Sequence, residues 1–311
     1  MALPSVALRG SHQSPRKAGR GSLERREERA FYLFISPWII GFILFSAGPL
    51  LGSLVISFTE WSLLASPLWN GIANYKRLVA DPLFWQALGN TLYYAMGSIT
   101  LGLILSFFLA LLLNQQVRGM ALFRTIFYLP SVCSGIAVAI LWTTIFNPDF
   151  GLLNAGLHLV GITGPQWLAD PSWAMPAMIM MSLWGAGGSM VIYLAGLQGI
   201  PTHLYEAASL DGASTLRKFR HVTVPMMSPI IFFNMIVGII GAFQTFTQIY
   251  VMTNGGPANS TLVFLLYLYR NAFENFDMGY ASALAWMLFL ILLAITLGQL
   301  WLAKRWVYYE A

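Results

Sequence analysis

The chain is 311 residues long, 57% hydrophobic and only 9% charged, with 17 basic and 12 acidic residues and a mean hydropathy of +0.66. An ordinary soluble domain is about 25% charged, so a soluble enzyme, a disordered chain and a disulfide scaffold are excluded and a polytopic membrane protein is left. The net charge of +5 and isoelectric point near 9.4 point to loop orientation in such a protein rather than to nucleic acid.

A helix needs about 20 apolar residues to cross the hydrocarbon core, so charge-free gaps mark the spans. Uncharged runs of 30, 36, 24, 35, 49 and 26 residues follow Arg29, Asp81, Arg124, Asp170, Arg220 and Asp277 in turn. The expected fold is all-α, with six transmembrane helices at roughly 31–58, 86–113, 125–145, 174–200, 229–252 and 280–301. The run after Arg220 holds one span and a long polar loop around Asn254-Gly255-Gly256-Pro257. The stretch 150–169 is also uncharged, but Gly151, Gly156, Gly161, Gly164 and Pro165 favour a loop with a short interfacial helix. Residues 1–30 read as a disordered basic tail, 31–303 as the membrane domain with a loop at 200–228 inside it, and 304–311 as a second tail. The first span, with Pro37 and Pro49 and no small-x-small exit, reads as retained rather than cleaved.

Fourteen of the 17 Lys and Arg residues fall in the N-terminal tail, the second-to-third loop, the fourth-to-fifth loop and the C-terminal tail. Only Lys76, Arg77 and Arg270 fall on the other side. By the positive-inside rule both termini are cytoplasmic, which an even number of spans permits.

Absences narrow the function. None of the four lysines follows a glycine, so there is no phosphate-binding P-loop and no ATP hydrolysis is expected in the chain itself. The six spans contain no Asp, Glu, Lys or Arg, so neither a proton relay nor a charged channel ring is visible. The four histidines lie in loops or a tail without metal-ligand spacing. Cys133, the single cysteine, is expected to be a buried apolar residue. The chain is expected to be no enzyme and to hold no cofactor or metal, and to act as a passive path that draws on an external energy source.

The most informative segment joins spans four and five. Thr202 is expected to cap a short helix through Glu206-Ala207-Ala208, and Asp211-Gly212 to stop it, because glycine tolerates the left-handed turn. A second amphipathic helix over 213–221 would then be ended by Pro225. Such a helix-turn-helix knob suits a partner's groove, although the same segment could simply join two spans.

Glu206, Ala207, Ala208, Asp211, Gly212, Ala213, Phe219, Val222, Val224, Pro225 and Pro229 together resemble the EAA loop of permease subunits of ATP-binding-cassette importers, with valine for the usual isoleucine or leucine at 222 and 224. The resemblance runs on through Ser36-Pro37-Trp38, Asn74-Tyr75, Phe123-Arg124-Thr125, Gly151-Leu152-Leu153-Asn154 and Asn254-Gly255-Gly256-Pro257, and is to the maltose-type first permease of carbohydrate importers in a compact six-helix form. It implies a bacterial-type inner membrane, a homologous second permease, two ATP-binding subunits that carry ATP and Mg, and an extracytoplasmic solute-binding protein. It also implies that Glu206, Ala207, Ala208, Asp211, Gly212 and Ala213 couple the chain to the ATPase, with Glu206 meeting a basic residue there.

Two helix faces are candidates for the sugar path, and the resemblance puts the family's sugar site on the same two spans. In span four, Met181, Trp184, Gly185 and Gly188 share a face at i, i+3, i+4 and i+7. In span five, Gln244, Thr247 and Gln248 share another, with Thr245 and Tyr250 nearby. An indole wall with amides and hydroxyls suits a sugar, while glycine, Gln and Thr at such places could equally serve helix packing. The rivals to an importer subunit are a secondary carrier or facilitator working alone and a membrane scaffold; the complete EAA loop and uncharged spans favour the importer. The spans hold no basic residue, which leans toward a neutral sugar over a glycerol phosphate.

Overall fold

Within hydrocarbon the backbone has no water to bond, so long apolar runs must fold as helices. The computed structural model describes residues 22–115 and 117–308; of the expected tails at 1–30 and 304–311, residues 1–21 and 309–311 lie outside the described residues. The chain divides into two units, Met1–Ser53 and Leu54–Ala311. In the first, α1 (Ser22–Phe42) passes through a π-turn, Ile43–Ala47, into α2 (Gly48–Ile56), which carries the chain into the second unit. Residues 22–30, expected to be disordered, are therefore helical. The π-turn closes with the Gly48 N–H on the Ile43 carbonyl and directly precedes Pro49, whose ring needs that extra room.

The second unit opens with a two-stranded antiparallel ribbon, β1 (Thr59–Glu60) and β2 (Leu68–Trp69), and α3 (Ala73–Ala80). Then come α4 (Pro82–Leu113), α5 (Met120–Val132), α6 (Gly135–Ile145), α7 (Leu152–Leu159) and α8 (Pro171–Leu183). A 3-10 turn at Trp184–Ala186 joins α8 to α9 (Gly187–Gly199), followed by α10 (Thr202–Leu210) and α11 (Thr215–Lys218). A π-turn at Phe219–Thr223 leads into α12 (Val224–Phe243), then α13 (Thr247–Met252) and α14 (Phe264–Tyr269). A π-turn at Arg270–Glu274 precedes α15 (Met278–Ala303). The short helix α7 lies in the stretch expected to carry one. The apolar run of α14, by contrast, falls where only a polar loop was expected. Asp81 and Asp170 start α4 and α8: each side chain accepts a backbone N–H, from Leu83 at 2.9 Å and Ser172 at 2.8 Å, and each is followed by proline.

Among the described residues five helical runs are long and apolar enough to cross a membrane: Arg25–Ile56, Pro82–Leu113, Pro171–Gly199, Thr215–Met252 and Met278–Ala303. The expected third span is not one straight helix. α5 and α6 meet at 99°, because Cys133 and Ser134 are both extended, just after Pro130 in the last turn of α5. At about 1.5 Å per residue each half is too short to cross about 30 Å alone, so the pair makes a sixth span only if taken together. Cys133, expected to be buried, is exposed at this corner.

α4 organises the unit, packing against α8, α9, α12 and α14. One core cluster gathers Phe84, Tyr94, Met178, Phe264 and Leu284, and another gathers Ala110, Met190, Tyr193, Leu197 and Met227. α9 approaches α5 so closely that a Cβ on Gly187 would overlap the Phe127 carbonyl oxygen, so only glycine fits there.

Candidate functional site

A cavity of about 410 Å³ opens between α4, the α8–α9 run and the α12–α13 run. Ser98, Gly185 and Asn234 line it and are the middle residues of Pro82–Leu113, Pro171–Gly199 and Thr215–Met252. The cavity is therefore at half-length of three membrane-spanning runs, about 24 Å along α4 from Pro82.

Its wall is built from hydroxyls and amides, and among the described residues no charged side chain lines it. Ser98 Oγ donates to the Tyr94 carbonyl at 2.7 Å, Ser182 Oγ to Ile179 at 2.6 Å, and Ser106 Oγ crosses to the Ala186 carbonyl at 2.8 Å. Each hydroxyl proton is thus used in the fold, which leaves oxygen lone pairs available as acceptors. Asn234 Nδ2 donates to Ile230 at 2.9 Å. The amides of Gln244 and Gln248 make no side-chain hydrogen bond among the described residues, and both line the cavity. Gly185 and Gly241 line it too, and a Cβ on either would meet no atom within 4 Å. They leave room rather than admit a neighbouring helix.

The structure brings Gly185, Gln244, Thr247 and Gln248 together here, with Thr245. It does so without the expected continuous helix: α12 ends at Phe243, Thr245 and Phe246 are non-helical, and α13 restarts at Thr247. It does not bring Trp184 or Gly188 to this wall. Trp184 lines a separate apolar cavity and packs edge-on against Trp142 at 6.0 Å, and a Cβ on Gly188 would meet Ser131 at 3.6 Å. The 3-10 turn explains the split, since at 3.0 residues per turn it rotates the two ends of an i to i+4 pattern apart. Tyr94, Ser98, Ser106, Ser182, Ser189 and Asn234 belong to the wall but were not singled out from sequence. Their signal was present, because Tyr94, Ser98, Gly102 and Ser106 recur every four residues.

The loop at 200–228 forms a second feature. α10 begins at Thr202 with Pro201, not Thr202, as its N-cap and no side-chain cap bond. It ends in a Schellman turn: Gly212 has φ +71°, its N–H bonds Ser209 at 3.0 Å, and the Ala213 N–H bonds Ala208 at 2.9 Å. Leu204 and Tyr205 pack on the second core cluster, and Tyr205 Oη lies 3.0 Å from Thr223 Oγ1. Glu206, Ala207, Asp211 and Gly212 are exposed, Ala208 and Ala213 are half-buried, and Leu210 is 90% exposed. Pro225 does not end a helix here. α11, the π-turn and α12 are one run, so the expected second surface helix is the first part of span five; the Val224 N–H reaches back to Phe219, and this wide turn accommodates the proline.

At the N-terminal end of α4, Asp81 Oδ2 accepts the hydroxyls of Tyr280 at 2.6 Å and of Tyr267. Burial alone would raise the Asp81 carboxyl, but these hydroxyls and the Leu83 and Phe84 amides outweigh it and hold the carboxyl below its ordinary value. Burial pushes the Tyr267 hydroxyl up, and the Asp81 carboxylate adds to that. Arg77 bonds Asp277 at 2.6 Å and lies 4.1 Å over the Tyr280 ring. Burial there would lower the Arg77 guanidinium, but the bond and charge of Asp277 outweigh it and raise it.

A multi-span helical bundle with an uncharged polar cavity at mid-depth and a rigidly mounted surface helix defines a membrane transport component. Residues 98–308 match the family described as binding-protein-dependent transport system inner membrane component, and the chain belongs to that family. It is 44% identical over 292 residues to a probable ABC transporter permease, YesP, of Bacillus subtilis (strain 168), covering 92% of this chain and 94% of that one. It is 36% identical to the lactose transport system permease LacF of Rhizobium radiobacter, covering 92% and 98%. A bacterial ABC transporter involved in the import of the acidic polysaccharide alginate matches with a TM-score of 0.80 and 26% identity, covering 91% of this chain and 98% of that one. The chain is thus the multi-pass inner-membrane permease of an ABC importer served by a binding protein, and ATP hydrolysis lies in a partner subunit. This sets aside a carrier working alone.

Proposed function

We propose that the chain forms the path for a neutral saccharide, which it takes from the solute-binding protein and releases inward by alternating access. The uncharged hydroxyl- and amide-lined cavity at mid-span carries this reading. Its volume lies in the range of ordinary small-molecule sites, about 300–1,000 Å³. An acidic saccharide, such as the alginate relative's, would call for cationic side chains, and the lining offers none among the described residues. The lactose permease relative supports a neutral sugar. A homologous second permease completes the pathway, two ATPase subunits carry ATP and Mg, and α10 sits in a cleft of one of them. On this reading Glu206 meets a basic residue of the ATPase, Ala207 and Ala208 lie along the contact, and Asp211, Gly212 and Ala213 hold the turn. Both termini face the cytoplasm, with the basic loops.

The test is uptake of radiolabelled neutral sugars by proteoliposomes holding the complete importer with its binding protein. Gln244→Ala with Gln248→Ala is expected to lower sugar uptake about tenfold, equivalent to about 1.4 kcal/mol, while the subunits still co-purify. Unchanged uptake and an unchanged sugar profile would remove these amides from the path.

A further inference from the structure

A second cavity, of about 460 Å³, lies near the N-terminal end of α4, between the loop after β1, α3 and the loop before α15. Trp61, Asn70, Phe276, Glu60, Arg77 and Asp277 line it. Three observations bear on what it holds. Asn70 Oδ1 is buried and has no hydrogen-bond partner among the described residues, an arrangement that is costly unless a donor arrives. Phe276 is held in the left-handed region at φ +55° with its side chain 50% exposed, a conformation that a bulky residue adopts only where its surroundings impose it. Here they do: the Asn275 and Asp277 N–H groups are pinned to the Arg270 and Asn271 carbonyls, both at 2.8 Å.

The third observation is electrostatic. The Arg77 guanidinium is engaged by Asp277 and by the Tyr280 ring, whereas Glu60 makes no ion pair among the described residues. A phosphate or carboxylate would meet Glu60 with no free cation opposite. A hydroxyl-rich neutral ligand would find an acceptor in Glu60, a second in Asn70 Oδ1 once that side chain turns from its buried position, and aromatic side chains in Trp61 and Phe276.

We propose that this cavity is a second saccharide-holding site, which takes one neutral pyranose unit at the outer end of α4 before it descends to the mid-span cavity. The proposal rests on the neutral-saccharide reading above, and the experiment separates the two. The purified importer, without its binding protein, is equilibrated with tritiated maltose, lactose and trehalose, and with tritiated glycerol 3-phosphate as the charged control. Two classes of sugar site are expected and no phosphate binding. Asn70→Ala and Trp61→Ala should each weaken one class about fivefold, and Trp61→Phe should restore it, which guards against a folding defect. Gln244→Ala with Gln248→Ala should weaken the other class. If Asn70→Ala and Trp61→Ala leave every sugar isotherm unchanged while the glutamine variant does not, the outer site is overturned and the saccharide path stands. If no sugar binds at either site, both fall. If Trp61→Ala leaves the sugar isotherms unchanged but weakens co-purification of the binding protein when that protein is added in a second assay, the cavity is a protein-docking surface and the proposal is overturned.

Discussion

Two glycines two residues apart in one helical run carry opposite expectations. Gly185 faces the mid-span cavity with open space where a Cβ would go, whereas Gly187 abuts the Phe127 carbonyl. Gly185→Leu should therefore leave the thermal midpoint near wild type and abolish sugar uptake, because the side chain fills the path. Gly187→Ala should do the reverse: overpacking costs about 1–3 kcal/mol, read as a lowered midpoint of roughly 2–4 °C per kcal/mol. A stable, active Gly187→Ala importer would refute the close approach of α9 to α5. Asp81 gives a second test at this scale. Its folded carboxyl is held below the ordinary value, so its contribution is full above the unfolded value, near pH 4, and is lost as pH falls through the folded value. Asp81→Asn should cost about 1 kcal/mol at pH 7, discounted for its partial exposure, and should flatten the fall in midpoint below about pH 4. The polar wall itself was readable: the four-residue stripe of Tyr94, Ser98, Gly102 and Ser106 has the spacing of one helix face. The placing of Trp184 was not, because a single 3-10 turn shifts a face without leaving a compositional mark.

Breaks were harder to read than helices. Charge-free length marks an apolar run but not a bend within it, so the 99° corner between α5 and α6 went unexpected although Pro130, Ser134 and Gly135 sit around it. Pro225 misled in the other direction, since a π-turn can absorb a proline that a plain α-helix could not. Gly212, by contrast, was legible, and its φ of +71° closes α10 as expected. That turn also carries an expectation for coupling. Gly212→Ala should cost about 1 kcal/mol from the left-handed conformation. Gly212→Val, with a branched side chain, should cost more and reorient the exposed face of Glu206 and Ala207. Basal ATPase activity of the assembled importer should persist while its stimulation by loaded binding protein is lost, and Glu206→Lys should produce the same uncoupling without the folding cost. Normal stimulation in both variants would deny α10 its role.

The molecule as a whole is oriented by few charges, and the side on which each loop lies can be measured directly. Fourteen of 17 basic residues fall on the proposed cytoplasmic side, and α10 projects from one of those loops. Leu210, 90% exposed at the end of α10, and Leu64, 93% exposed after β1, lie on opposite sides if the α5–α6 pair counts as one span. With Cys133, the only cysteine, replaced by serine, each position can carry a single reporter thiol. In right-side-out vesicles a membrane-impermeant maleimide should label Leu64→Cys at once and Leu210→Cys only after permeabilisation. Inverted vesicles should give the opposite pattern. A thiol at Tyr308, beyond the last span and 53% exposed, serves as a control. Leu210 and Tyr308 are separated by two spans and must share a side. Since that relation holds whatever α5 and α6 do, a thiol at Phe31, 59% exposed in α1 near the N-terminal end of the first span, supplies the discriminating comparison. Shared protection of Phe31→Cys and Leu210→Cys requires an even number of crossings between them, which α5–α6 provides only as a bent span; opposite protection would make the pair re-entrant and put the two ends of the chain on different sides.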